Sequence, residues 1–262
     1  MGQLEALIFD VDGTLANTEK DAHRVAFNRA FADVGLTWDW SVDLYGQLLK
    51  VTGGKERIRF YIESWQPQMP SVGDLTAFDL TAFIKDLHAR KTQHYCDLLA
   101  NEVLPLRPGV RRLIQEARDQ GIRLAIATTT TPANVTALLT HSLAPDAMDW
   151  FEVIAAGDMV PQKKPAPDIF FYALEKMNLR ADQCVAFEDS GNGWLSSRDA
   201  GLTTVVTVNN YTANQDFTGA DLVLSDLGEP DQPFTVLAGE VGTWPYFDVT
   251  LAAELLKRKS KS

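Results

Sequence analysis

The feature that most restricts the fold is the stretch Ala6-Leu-Ile-Phe-Asp10-Val-Asp12-Gly-Thr-Leu15, an unbroken apolar run that stops on two aspartates. A run apolar at every position, not at alternate ones, is what a strand buried on both faces requires. Such strands belong to parallel sheets covered by helices. The carboxyl end of a strand of that kind opens into the crevice where α/β proteins bind ligands. Side chains two apart on an extended chain point the same way, so Asp10 and Asp12 can both address one ligand. Two close carboxylates repel, and the rest of the chain must supply a cation to keep both ionised.

A second run of the same form, Gln183-Cys-Val-Ala-Phe187, ends in Glu188-Asp189-Ser190-Gly191. Four carboxylates at the ends of two parallel strands make a hard, oxygen-rich site suited to Mg2+. A calcium-binding EF-hand loop also begins Asp-x-Asp, but it needs glycine at its sixth position, where Leu15 stands, and that reading fails.

Between these runs the pattern changes. Ala22, Val25, Ala26, Arg29, Ala30 and Val34 form a helical stripe stopped by Gly35. Helical segments continue to about residue 100, interrupted at Thr52-Gly53-Gly54, from Pro67 to Pro70 and at Gly73, with no convincing strand. Leu106-Arg-Pro108-Gly109 then turns into a helix, Val110 to Gln120, and a strand at 123 to 127 ends in four threonines. Helix 133 to 141, strand 153 to 156, helix 169 to 177, strand 184 to 187, helix 192 to 200 and strands 203 to 208 and 221 to 224 follow. This alternation predicts right-handed crossovers and a Rossmann-like parallel-sheet α/β core. The core takes residues 1–16 and 96–262, with a helical cap at 17–95 inserted between its first two strands and hinges near 15–18 and 95–103. Beyond residue 226 prolines and glycines break any long element, and Thr250 to Arg258 reads as a short terminal helix before a frayed tail.

The formal net charge of −11 disfavours nucleic acid and anionic membranes, so an anionic substrate has to be met by a local basic pocket. Cys96 and Cys184 are the only cysteines, which fits a reducing compartment. No run of about eighteen apolar residues offers a membrane span, and the amino terminus has no signal-peptide pattern. A cytoplasmic monomer is expected, or a protein of the plastid stroma if a leader has been removed.

In chain order, Asp10-Val-Asp-Gly-Thr-Leu15, Lys164-Pro-Ala-Pro-Asp168 and Glu188-Asp-Ser190 resemble the motifs of the haloacid dehalogenase-like (HAD) hydrolase superfamily. Taken with Lys50-Val-Thr-Gly-Gly-Lys-Glu-Arg57 and Thr128-Thr-Thr-Thr-Pro-Ala-Asn134, the chain resembles the CbbY family of sugar-bisphosphate phosphatases. Those enzymes accompany carbon fixation and clear xylulose-1,5-bisphosphate, an inhibitory by-product of Rubisco. The region after residue 226 has no place in the family pattern.

The resemblance implies a HAD core in which Asp10 attacks phosphorus to form an aspartyl-phosphate and Asp12 serves as general acid, then base. It implies that Thr128 binds the transferring phosphoryl group, with backbone amides at Thr129 and Thr130 near a helix start adding donors. Lys164 offsets the charge of phosphate and Asp10, and its neighbour Lys163 is left to the surface. Glu188 and Asp189 complete the Mg2+ site with Asp10 and the backbone carbonyl of Asp12.

The cap is expected to choose the substrate. Gly53 and Gly54 precede a helix and leave amides that favour an anion, with Lys50 and Lys55 beside them. Lys55 stands three residues before Ile58 and seven before Ile62, on the inward side of that helix. Arg57 and Arg59 are open candidates. Arg90-Lys91 is similar to the return helix of phosphosugar enzymes, and Glu19 and His23 follow the nucleophile loop. A second anion site in the cap implies a substrate with two phosphates. A β-phosphoglucomutase-type mutase shares these motifs. A phospho-accepting regulatory domain also uses an acid pair, a hydroxyl and a lysine, but there the accepting aspartate follows a later strand.

Overall fold

The computed structural model describes residues 3–69 and 79–259. The chain divides into two compact units, one built from residues up to Asn17 together with Leu104 onward, the other from Thr18–Val103.

The first unit holds a seven-stranded sheet in the order β3-β2-β1-β4-β5-β6-β7. Its strands are β1 (Ala6–Phe9), β2 (Arg123–Thr128), β3 (Val153–Ala156), β4 (Cys184–Glu188), β5 (Thr203–Thr207), β6 (Leu222–Leu224) and β7 (Val236–Ala238). The first six run parallel, and β7 pairs antiparallel with β6. The parallel sheet is therefore as expected, and the antiparallel edge is an addition from the region after residue 226. Helices α5 (Val110–Asp119), α6 (Pro132–Leu138), α7 (Asp168–Met177), α8 (Gly191–Asp199) and α9 (Val249–Lys259) belong to the same unit.

Strand alternation sorts the apolar run between two faces. Ala6 and Ile8 pack with Ile169, Phe170 and Ala173 of α7. Phe9 turns to the opposite face, where its ring stacks on Phe187 at 4.6 Å, and Phe187 meets Phe247 edge-on at 5.3 Å. Phe247 begins the approach to α9, which gives the carboxyl-terminal region its role: it covers one face of the sheet. That region is tied back by Glu229, which accepts from the Gly109 N–H at 2.8 Å and from Arg112 at 3.1 Å.

β1 has β2 on one side and β4 on the other, and the connection after β1 runs to β2 while the one after β4 runs the opposite way, to β5. That switch point is where a parallel sheet leaves a crevice at the strands' carboxyl ends. Phe9 is in register with Ile126 and with Phe187, so Asp10 stands level with the ends of both neighbours.

The second unit is helical, with α1 (Arg24–Asp33), α2 (Val42–Leu48), α3 (Gly54–Trp65) and α4 (Leu80–Asn101). A π-helical turn over Glu19–His23 leads into α1. No strand occurs among its described residues. The expected boundary at 95 falls inside α4, which runs unbroken to Asn101 because nothing in 80–101 interrupts its pattern. The expected breaks at Pro70 and Gly73 lie outside the described residues. An aromatic core of Phe27, Phe31, Trp38, Trp40, Tyr45 and Tyr61 fills this unit. Asn28 locks Trp40 in place by accepting from its N–H at 2.9 Å and donating to its carbonyl at 3.1 Å. Each aromatic pair is worth about 0.5–1.5 kcal/mol beyond its buried area, so a short helical unit gains stability without a sheet. Among the described residues no helix is long and apolar enough to cross a membrane.

Candidate active site

Three neighbouring strands deliver polar groups to one point. Asp10 follows β1, Thr128 ends β2 and Glu188 ends β4, with Asp189 next in the chain. All four are buried, Asp10 at 7% exposure and Glu188 at 1%. Lys164 comes from the loop before α7, and its ammonium donates to Asp10 Oδ1 at 2.7 Å, to Glu188 Oε1 at 2.6 Å and to the Ala127 carbonyl at 2.8 Å. Lys164 thus brings a cation to Asp10, the first of the two aspartates, and shares it with Glu188. Lys163 pairs instead with Asp158 at 3.1 Å.

The electrostatics follow from burial. Loss of water pushes the Asp10 carboxyl above the ordinary aspartate range, with Asp12 adding repulsion, while Lys164 and the Thr128 hydroxyl pull the other way. Glu188 is pushed up further by burial and by Asp10 and Asp189, against the pull of Lys164. Burial alone would lower Lys164, but the two carboxylates outweigh it and keep the ammonium charged.

One carboxylate oxygen from each of Asp10, Glu188 and Asp189 lies within 4.8 Å of the others. Glu188 Oε2 is buried with no hydrogen-bond partner among the described residues. Three carboxylates around one ammonium leave excess negative charge, and hard oxygen donors at this spacing could hold a small divalent cation. Asp12 is half-buried on the loop after Asp10, bridging to Ala16.

Around Thr128 the threonine cluster is divided in function. Thr131 caps α6 by accepting from Asn134 N–H at 3.3 Å, and Thr130 Oγ1 accepts from the Asn134 side chain at 2.9 Å. Thr128 is left at the strand end beside Asp10, while Thr129 and Thr130 are half-buried.

Sequence reasoning passed over two residues here. Asn209, after β5, donates to Asp189 Oδ2 at 2.7 Å. Arg107 is buried and donates to the carbonyl of Gly13 in the loop after β1. A polar residue just past a strand's end was the available signal for Asn209; Arg107 was visible only as part of a turn.

In the helical unit the candidates form two groups. Glu19 Oε2 accepts from Tyr45 Oη at 2.5 Å, and Arg57 donates to the same Tyr45 oxygen at 2.9 Å while standing 3.8 Å from Glu19. Lys91 Nζ donates to His23 Nδ1 at 2.5 Å and lies over the rings of Phe27 and Tyr95 at 5.2 and 5.0 Å. Phe27 adjoins both groups, since its ring also contacts Tyr45. Lys50 sits over the Phe60 ring at 4.6 Å, and Lys55 is half-buried in the first turn of α3. A Cβ on Gly54 would come within 2.5 Å of His88 Nε2, so glycine there permits close packing. Arg90 stands apart from both groups, exposed and paired with Asp86 at 2.7 Å, because on a helix it points roughly 100° away from Lys91.

Comparison with known proteins places the chain in a family. The model of the haloacid dehalogenase-like hydrolase family matches residues 4–201. CbbY of Cupriavidus necator is 49% identical over 230 residues, covering 88% of each chain. CbbY of Rhodobacter capsulatus is 50% identical over 225 residues, 86% of this chain and 94% of that one. The crystal structure of Rhodobacter sphaeroides CbbY with phosphate superposes with a TM-score of 0.78 at 43% identity, covering 85% of this chain and 94% of that chain. A variant of that protein in complex with xylulose-(1,5)bisphosphate matches equally well. The chain is therefore a member of the haloacid dehalogenase-like hydrolase family, and CbbY proteins are among its relatives.

Proposed function

We propose that the protein is a Mg2+-dependent phosphatase of a sugar bisphosphate, xylulose-1,5-bisphosphate in the first place. The observation that carries the reading is the buried Asp10 carboxylate at the sheet's switch point, held 2.7 Å from Lys164. The similarity to CbbY, crystallised with that bisphosphate, supports the choice of substrate.

In the proposed reaction an oxygen of Asp10 attacks phosphorus, the bond from phosphorus to the sugar oxygen breaks, and Asp12 gives its proton to the departing oxygen. A water then attacks the aspartyl-phosphate, Asp12 takes the water's proton, and inorganic phosphate leaves with Asp10 restored. Lys164 and Thr128 hold the equatorial phosphate oxygens, aided by the amide of Thr129. Asp10, Glu188, Asp189 and the Asp12 carbonyl would hold Mg2+, which when bound neutralises charge on the transferring group. Binding energy for the second phosphate falls to Lys50, Gly54 and Lys55 of the helical unit. Glu19, His23 and Lys91 take the sugar hydroxyls.

Release of inorganic phosphate from a panel of mono- and bisphosphorylated sugars, with and without Mg2+, tests the reading. Phosphate from bisphosphates only when Mg2+ is present is the expected result. An isomerised sugar phosphate with no phosphate release would establish a mutase instead.

A further inference from the structure

Arg107 spends its side chain on the backbone of the loop after β1 and of the ends of β5 and β6. It donates from Nη1 to the carbonyls of Gly13 and Thr207, the latter at 2.8 Å, and to Thr207 Oγ1 at 3.1 Å. From Nη2 it donates to Val208 O at 2.5 Å and Ser225 O at 2.7 Å. Its own backbone N–H donates to Leu15 O at 2.8 Å. One buried guanidinium therefore joins the loop after β1 to the ends of β5 and β6. Its planar fork makes these bonds together, and lysine has no such geometry.

The next residue after Val208 is Asn209, and its amide is oriented. Asn209 Oδ1 accepts from Tyr211 N–H at 2.9 Å, which leaves Nδ2 to donate to Asp189 Oδ2 at 2.7 Å. Gly13 closes the circuit from the other side. A Cβ there would stand 2.2 Å from Asp189 Oδ2 and 2.7 Å from Asn209 Nδ2, so the loop after β1 rests directly on the Asp189–Asn209 pair.

We infer that Arg107 and Asn209 are positioning residues that fix the β1 loop against Asp189, so that the oxygens offered to the divalent cation are set before it binds. The inference rests on the metal-dependent reading above and extends it to residues that touch neither substrate nor reacting atoms. Partners that orient metal-binding carboxylates are typically worth about 10–100-fold in metal affinity.

The test is a titration of Mn2+, a paramagnetic stand-in for Mg2+, with free ion followed by electron paramagnetic resonance. Wild type, Asn209→Ala and Arg107→Lys are compared below their metal-free melting temperatures. Both variants should bind Mn2+ about 10–100-fold more weakly. Asn209→Ala should keep its metal-free melting temperature within a few degrees, which separates positioning from loss of fold if Arg107→Lys fails to fold. Unchanged Mn2+ affinity in folded Asn209→Ala would overturn the inference, as would a wild-type protein that binds no Mn2+. Wild type that binds Mn2+ with the expected loss in the variants, yet hydrolyses no sugar phosphate, would sink the substrate reading and leave this inference standing.

Discussion

Each unit buries a lysine, and the two are seated differently. Lys164 lies among strand ends, with two carboxylates and a backbone carbonyl within 2.8 Å. Lys91 lies among helices, against an imidazole nitrogen and two aromatic faces. An ammonium has no lone pair, so Lys91 is the donor to His23 Nδ1. The first seat holds opposing charges at fixed spacing, as chemistry on a phosphoryl group needs. The second is a buried ammonium set against an imidazole and two rings, the seat to which sugar contacts are assigned in the proposed function.

The largest expected effect tests whether chemistry is confined to the first seat. Asp10→Asn keeps shape and removes the proposed nucleophile, and turnover should fall by about 10^4–10^6-fold on every substrate. Phosphate release at the wild-type rate would break the comparison at its root.

Lys164→Met comes next, read as stability in the metal-free protein. Removing one partner of a buried ionic cluster typically costs about 3–5 kcal/mol. The sign with pH is set by the carboxyls left behind. Asp10 and Glu188 already have folded pKa values raised above their ordinary ones, and losing the ammonium raises them further. An acid raised on folding contributes stability that is present below its unfolded pKa and lost as pH rises through its folded pKa. The cost of Lys164→Met measured by denaturant unfolding should therefore grow from pH 5 to pH 8. A cost independent of pH would mean that Lys164 does not compensate these two acids.

The same contrast decides what could be read from the sequence. β1 and β4 announce themselves as apolar runs, and once both lie in one parallel sheet, register brings Asp10 level with Glu188. Local chemistry dictates that much. The Glu19–Tyr45–Arg57 group and the contact of Lys91 with His23 depend on how separate helices pack, and no spacing rule spans them. Arg107 and Asn209 were hidden for a related reason, since their partners are backbone carbonyls and one carboxylate on distant loops. β7 escaped because it is three exposed residues with no alternating pattern, held to β6 by pairing alone. The π-helical turn at Glu19–His23 likewise leaves no mark in a periodicity.

The proposed recognition by the helical unit predicts a narrower effect. Lys55→Ala should raise KM for bisphosphates about 10–100-fold, the value of one charge-assisted hydrogen bond of about 1.5–3 kcal/mol, and leave monophosphates unchanged. Equal loss on both classes in steady-state assays would remove Lys55 from the second phosphate.

The smallest effect is the one that sharpens the comparison of the two lysines. Lys91→Met retains most of the side-chain volume and loses two cation–π contacts, each worth about 0.5–2 kcal/mol, together with one hydrogen bond. The hydrocarbon stem that replaces the ammonium still packs on Phe27 and Tyr95, which recovers part of the loss. Denaturant unfolding should therefore show a cost of about 1–2 kcal/mol, below that of Lys164→Met. A Lys91→Met penalty as large as that of Lys164→Met would erase the distinction between the two seats.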